Sequence, residues 1–259
     1  MSIHPSAVIE DGARIDPSAV VGPFCHIGGE VILGPQVELK SHVVVQGATT
    51  IGAETAVFPF SVIGEIPQDL KFKGEPTRLE IGARNRIREH VTINTGTQGG
   101  GGLTKIGDDG LFMAGCHVAH DALIGDRVII VNSAAIAGHC VIEDDVIVGG
   151  LSGVHQWVRV GQGAIIGAVT MVTNDVIPYG LVQAPRGELD GLNLVGLKRK
   201  GVARSDITAL RAAFQMLAQG DGTFHERVNR LSQETDSDYV RQIVDFVMAD
   251  SDRSFLTPS

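Results

Sequence analysis

The chain has 259 residues, 43% of them hydrophobic and only 5% aromatic, with a formal net charge of -9. That length and apolar content suit a folded protein with a sizeable core, and the acidic balance argues against nucleic acid as a general partner. No basic-then-apolar leader opens the sequence and no apolar run approaches a membrane span, so a cytoplasmic protein without a transmembrane segment is expected.

From the N-terminus a short aliphatic residue recurs every sixth position, at Ile3, Ile9, Ile15, Val21, Ile27, Leu33, Leu39, Val45, Ile51, Val57 and Ile63. It resumes at Ile81, Ile87 and Ile93, shifts by one residue, and continues from Ile106 through Val172. A fixed short period of this kind specifies a solenoid. Each hexad reads as a short strand plus a bend, and three hexads as one coil, so residues 18 apart stack about 4.8 Å from one another. The inward aliphatic residues then form a core continuous from coil to coil. Glycine often follows the aliphatic residue, as at Gly22, Gly34, Gly52 and Gly125, and is expected to supply φ-permissive bends.

Two stretches interrupt the hexads. Between 65 and 78, Asp69 and Glu75 stand where the period asks for apolar residues, and between 97 and 105 lie four consecutive glycines that should preclude any fixed element. Both read as excursions from the prism, where a solenoid puts its functional loops. The expected division is a β-helix over 1–187 and a helical domain over 188–259 that caps it. Within the latter, Ser205-Asp206 opens a run with Ile207, Leu210, Phe214 and Leu217; Thr223 to Glu226 is a capping-box match; and Ser237 precedes Val240, Ile243, Val244 and Val247.

Cys25, Cys116 and Cys140 have no metal-ligand spacing and are expected to be reduced. His117, His120, His139 and His155 fall within 39 residues, and on an 18-residue coil His120, His139 and His155 lie near one edge of three successive coils. Zinc ligation by histidines is the competing reading. His117 and His120, three apart on a strand, should face opposite ways, which argues against it.

The hexads resemble the hexapeptide-repeat acyltransferases, which implies a mainly β, left-handed parallel β-helix assembled as a homotrimer. The left hand comes from that resemblance, since parallel crossovers are ordinarily right-handed. His117-Val118-Ala119-His120-Asp121, Gly138-His139, His155-Gln156, Gln68-Asp69-Leu70-Lys71, Gly74-Glu75-Pro76-Thr77-Arg78 and Gly196-Leu197-Lys198-Arg199 together resemble the UDP-N-acetylglucosamine O-acyltransferases that open lipid A synthesis. The resemblance implies transfer of an (R)-3-hydroxyacyl chain from acyl carrier protein to the sugar 3-position, with no cofactor and no metal. It implies His120 as general base, Asp121 as its support and the Gly138 N–H as oxyanion donor. Gln68, Asp69, Lys71, His117, His139, His155 and Gln156 become substrate contacts, and Asn193 and Arg199 hold the uridine diphosphate from a neighbouring subunit. Lys198, Arg199, Lys200 and Arg204 form a basic patch suited to an acidic carrier.

Two positions depart from the family. Asn94-Thr95 replaces a His-Arg pair, which raises a 3-amino sugar acceptor and an amide product as an alternative. Ala168 occupies the family's acyl-length position and implies a chain of intermediate to long length. A zinc-dependent lyase of the carbonic-anhydrase kind is the more distant alternative.

Overall fold

The structure, a computed structural model, describes residues 2–185, 187–251 and 253–257. Its strands are mostly two residues long and stack into three sheets of eleven, nine and eight strands, parallel and each pairing with the strand three further along the chain until the closing strands Gly180–Gln183 and Glu188–Leu192 of the eleven-stranded sheet. This is a left-handed parallel β-helix of triangular section. The hexad residues Ile27, Leu33, Leu39, Ile51, Ile63, Ile87, Ile93, Ile106, Phe112, Ile130 and Ile136 are among the largest fully buried side chains along its axis. The period of six therefore arises because each wall turns one aliphatic side chain inward and leaves its neighbours outside.

The corners do not work as the glycine pattern suggests. Seventeen described non-glycine residues, among them Phe24, Arg84, Asp121, His139 and Trp157, carry φ between 55° and 69°. Each sits three residues after an inward aliphatic, so the left-handed bend is made by side-chain-bearing residues at a cost of about 1 kcal/mol or more each. The glycines directly after the aliphatic residues serve another need. A Cβ on Gly22 would lie 2.5 Å from the Lys40 carbonyl oxygen, and one on Gly52 2.5 Å from the Gly82 carbonyl carbon, so the close approach of consecutive coils excludes it.

Both excursions leave the same corner. The first joins the strand Val62–Glu65 of the nine-stranded sheet to Arg78–Ile81 of the eight-stranded sheet, and the second joins Thr92–Asn94 to Leu103–Ile106 of those same two sheets. Ile81 stacks between Ile51 and Ile106, so the usual separation of 18 widens at this level. The first excursion adds two whole hexads, which preserves the phase and makes Asp69 and Glu75 loop residues, not defective coil positions. The second adds a hexad plus one residue, which produces the shift. Nor is the glycine run unstructured, since Gln98–Gly100 forms one turn of 3-10 helix ended by Gly101 at φ 92°.

The solenoid sheet extends past residue 187, because Glu188–Leu192 pairs antiparallel with Gly180–Gln183 as a closing hairpin. Helices α1 (Leu194–Arg199), α2 (Arg204–Gln219), α3 (Phe224–Glu234) and α4 (Asp238–Met248) follow. The Thr223–Glu226 capping box is formed on both sides, and α4 buries Val240, Ile243, Val244, Phe246 and Val247. The tail returns to the last coil, where buried Asp175 accepts from the Arg159 Nε at 2.7 Å and the Ser251 Oγ at 2.7 Å. Cys25, Cys116 and Cys140 are buried free thiols, and burial pushes those of Cys116 and Cys140 up to about 12.

Candidate active site

Asp121, His139 and Trp157 follow one another at 18-residue intervals on the corner from which the two excursions leave one and two coils earlier. All three have left-handed φ of 60°, 62° and 69°, so each coil presents one corner side chain to the same column. His120 and Gly138 immediately precede the first two. The hexad repeat thus delivers a column of side chains whose backbone is fixed by coils on either side, and the excursions supply a wall beside it.

His120 Nδ1 lies 2.8 Å from Asp121 Oδ2. Asp121 also accepts the Thr97 N–H at 2.8 Å on Oδ1 and the Thr97 hydroxyl at 2.6 Å on Oδ2. A carboxylate so arranged holds the His120 proton on Nδ1 and leaves Nε2 as a lone-pair base. The site is closed on this side: His120 and Asp121 are each 5% exposed, and a Cβ on Gly100 would fall 2.1 Å from the Asp121 carboxyl carbon. The glycine run is therefore a lid pressed against the acid, a role only glycine can fill.

Gly138 lies against the other face of the base, where a Cβ would come within 2.6 Å of His120 Cε1. Its N–H has no acceptor among the described residues, so it is free to donate to a developing oxyanion. His139 meets His120 edge-on, with ring centroids 5.0 Å apart, and stacks flat on Trp157 at 3.8 Å. Burial holds the His139 imidazole below its ordinary range, against the pull of Asp121. Burial does the same for His117, whose Nδ1 lies 2.8 Å from the Thr92 hydroxyl.

Two clefts flank this column. One, of about 400 Å³, lies between the excursions and is lined by Asp69, Lys71, Phe72, Glu75, Thr97, Gln98, Gly99, His139 and Trp157. The other, of about 580 Å³, runs along the outer face of the nine-stranded sheet past Gln68, His117, His120, Gly138, His155 and Gln156 to Met171. His117 and His120 thus face one cleft, contrary to the strand-alternation argument, because the chain bends after Val118 and the period of two stops there. His120, Asp121 and His139 offer ligand atoms within 4.8 Å of one another, as a metal site requires. Both Asp121 oxygens already bond Thr97, and Oδ2 also bonds His120, an arrangement suited to orienting an imidazole for proton transfer.

The other expected residues fall elsewhere. Asp69 takes the Lys71 N–H at 2.9 Å, which holds its carboxyl below the usual range, while the Lys71 side chain is 92% exposed. Asn94 is 3% exposed and donates to the Glu65 and Ile66 carbonyls at 3.2 and 2.9 Å, so it anchors the first excursion and does not line either cleft. Asn193 caps α1, accepting from the Gly196 N–H and donating to the Gly163 carbonyl at 2.9 Å. Arg199 is exposed at the end of α1, and Ala168 is exposed on a corner outside both clefts. Lys200 is paired with Asp145 at 2.6 Å, which removes it from the free basic patch. Thr97, Trp157 and Met171 were not among the expected site residues. The 18-residue spacing from His139 marks Trp157 in retrospect, and that from Gly153 marks Met171; nothing local marks Thr97.

Residues 6–41 match the bacterial transferase hexapeptide repeat and residues 175–256 match the second domain of UDP-N-acetylglucosamine O-acyltransferases. The chain is 68% identical over 203 residues to an acyl-[acyl-carrier-protein]–UDP-N-acetylglucosamine O-acyltransferase of Paracoccus denitrificans, covering 78% of this chain and 77% of that one. It is 47% identical to the enzyme of that name in Rhizobium etli, covering 99% and 95%. Its fold is similar to that of LpxA from Acinetobacter baumannii, with a TM-score of 0.95 and 37% identity over 98% of this chain and 99% of that one. A UDP-N-acetylglucosamine acyltransferase from Francisella novicida gives a TM-score of 0.95 at 35% identity, covering 98% and 93%. These similarities favour neither the amide-forming nor the zinc-lyase alternative.

Proposed function

Because this chain belongs to the acyl-[acyl-carrier-protein]–UDP-N-acetylglucosamine O-acyltransferase family, we propose that it moves an (R)-3-hydroxyacyl chain from acyl carrier protein to the 3-hydroxyl of UDP-N-acetylglucosamine, the first step of lipid A synthesis. His120 Nε2 takes the proton from the sugar hydroxyl as its oxygen attacks the thioester carbonyl. The carbonyl oxygen, becoming an oxyanion, receives the Gly138 N–H. Collapse breaks the carbon–sulfur bond, and the His120 imidazolium returns its proton to the departing carrier thiolate. The observation that supports this reading best is the pair formed by His120, its Nδ1 tied to Asp121 at 2.8 Å, and Gly138, whose α-carbon packs against the same ring and whose N–H has no acceptor among the described residues. General-base help of this kind contributes about 10²–10⁴-fold.

The two clefts suit the two substrates. The polar one between the excursions, with Asp69, Lys71 and His139, fits a sugar nucleotide, and the long one from His120 past Ala135 and Gly153 to Met171 fits an acyl chain. Within the long cleft we assign the apolar stretch Ala135, Ile136, Gly153 and Met171 to the acyl chain and the polar His155 and Gln156 to the sugar nucleotide, and we place Arg199 and Asn193 toward the site of a neighbouring copy. A homotrimer is consistent with the exposed apolar side chains Leu70, Leu151, Trp157, Val169 and Met171, which a second copy would cover. Lys198 and Arg199, both exposed, remain available to an acidic carrier. No helix of the described residues is long and apolar enough to cross a membrane, and we place the enzyme in the cytoplasm.

The test is mass spectrometry of products formed from mixed-length 3-hydroxyacyl carrier proteins with UDP-N-acetylglucosamine and its 3-amino analogue in competition. An O-acyl product abolished by His120→Ala is expected. No product from either sugar refutes the assignment, and sedimentation at the mass of a single chain refutes the trimer.

A further inference from the structure

Arg253 lies in the tail beyond α4, nearly a hundred residues from the histidine column. Its Nη2 is 2.9 Å from His155 Nδ1 and 2.7 Å from the Gln156 carbonyl oxygen. The tail that carries it is fastened on both sides. Before it, the Ser251 hydroxyl donates to Asp175 at 2.7 Å and accepts the Arg253 N–H at 3.1 Å. After it, the Asp175 N–H donates to the Ser254 carbonyl and the Leu256 N–H to the Asp175 carbonyl. Arg159, bound to the same Asp175 carboxylate, lies 4.6 Å from the Phe246 ring centre and 5.8 Å from that of Phe255. A charged guanidinium is thus delivered to one edge of the cleft that His155 lines.

A guanidinium has only hydrogens to offer and does not lose its charge in proteins. His155 Nδ1 must therefore accept, and the single proton of the neutral ring must sit on Nε2. A competing arrangement stands ready, because the Gln156 carbonyl oxygen is also 3.2 Å from Nδ1. Without the arginine, Nδ1–H can donate to that oxygen, which turns Nε2 from a donor into an acceptor. We propose that Arg253 is a positioning residue that sets the tautomer of His155, holding its Nε2–H as a hydrogen-bond donor toward the oxygens of the sugar nucleotide. The identity of the group His155 meets rests on the acyl-transfer reading; the tautomer does not.

Long-range ¹H–¹⁵N spectra of histidine-labelled protein read the tautomer directly, with His155 assigned by the signal lost in His155→Gln. Wild type should show a protonated Nε2 and an unprotonated Nδ1, and Arg253→Ala should move the proton to Nδ1. Kinetically, Arg253→Ala should raise the KM for UDP-N-acetylglucosamine roughly tenfold, with kcat within about threefold. That effect should vanish when Arg253→Ala is made in His155→Ala. Ser251→Ala removes one tie of the tail and leaves the two Asp175 backbone ties and the guanidinium contacts in place, so it should leave the tautomer unchanged. An Nδ1-protonated His155 in wild type, a tautomer indifferent to Arg253, or a KM effect that persists in His155→Ala overturns the proposal. Wild-type protein without acyltransferase activity overturns the functional reading instead, and the spectra still decide the tautomer.

Discussion

Adding a single methyl group at Gly138 should stop the reaction without emptying the site. In Gly138→Ala the new Cβ lies 2.6 Å from His120 Cε1 and 2.8 Å from Nε2, where carbon atoms at rest stand about 3.5 Å apart. The ring must retreat by roughly 0.9 Å. It has little room, being held by Asp121 at 2.8 Å and met edge-on by His139. Either the bond to Asp121 stretches out of range or the corner itself shifts and carries the oxyanion donor with it. A misplacement near 1 Å costs about 10²-fold and a lost oxyanion donor about 10²–10³-fold, so kcat should fall by at least about 10²-fold. Overpacking of this kind costs about 1–3 kcal/mol, which the coil tolerates with a modest fall in Tm. Asp69, Lys71 and His155 are untouched, so the KM for the sugar nucleotide should stay within about threefold. A steady-state assay with defined carrier-bound substrate reads both constants. A kcat within about threefold of wild type would refute the close packing of Gly138 on the base and its part in the reaction.

Met171→Ala opens the far end of the long cleft, and the product spectrum should shift by about tenfold toward chains two carbons longer; an unchanged spectrum by mass spectrometry removes Met171 as a length stop. Asn94→Ala releases the Glu65 and Ile66 carbonyls, so limited proteolysis between 65 and 78 should quicken while the product remains the ester, and appearance of amide selectivity would contradict its structural role. Gly100→Ala should displace Asp121, lowering kcat in the same way as Asp121→Ala; normal activity would show that the glycine turn does not press on the acid. His117 and His139 are held below their ordinary value of 6.5 by burial, so the unfolded chain binds protons at a higher pH than the folded one. Their contribution is complete above about pH 6.5 and is lost as pH falls toward the folded values, so Tm should drop between pH 7 and 5, and less so in His117→Gln; an equal drop in that variant would assign the loss elsewhere.

How far the sequence carried the reading depends on what each feature repeats with. The prism was legible because burial of one aliphatic side chain per wall writes itself every six residues, and the capping box at Thr223 because both partners lie within one turn of helix. The corner geometry was not, since a glycine required by contact with the next coil looks like a glycine required for φ. The first excursion concealed its length by adding whole hexads, which made Asp69 look like a failed core position. His120, Asp121 and Gly138 came from the family's local motifs, and the structure adds that they lie in mutual contact. Thr97 and Arg253 meet their partners through loop closure and tail docking, contacts that leave no trace in local pattern. Asn94 shows the reverse: a departure from the family motif that reads as a change of acceptor is, in the fold, a buried side chain holding the first excursion.

The two excursions differ in what they touch. The first rests on backbone ties to Asn94, Thr95 and Gly96 and carries no ligand of the base, whereas the second closes directly on Asp121 through Thr97 and Gly100. On the proposed reading both excursions wall the sugar-nucleotide cleft, and only the second also holds the carboxylate beside the base. A change of length or composition within 65–78 would reshape one wall of that cleft and leave Asp121 in place, whereas a side chain added to the glycine turn one coil later would push the carboxylate itself.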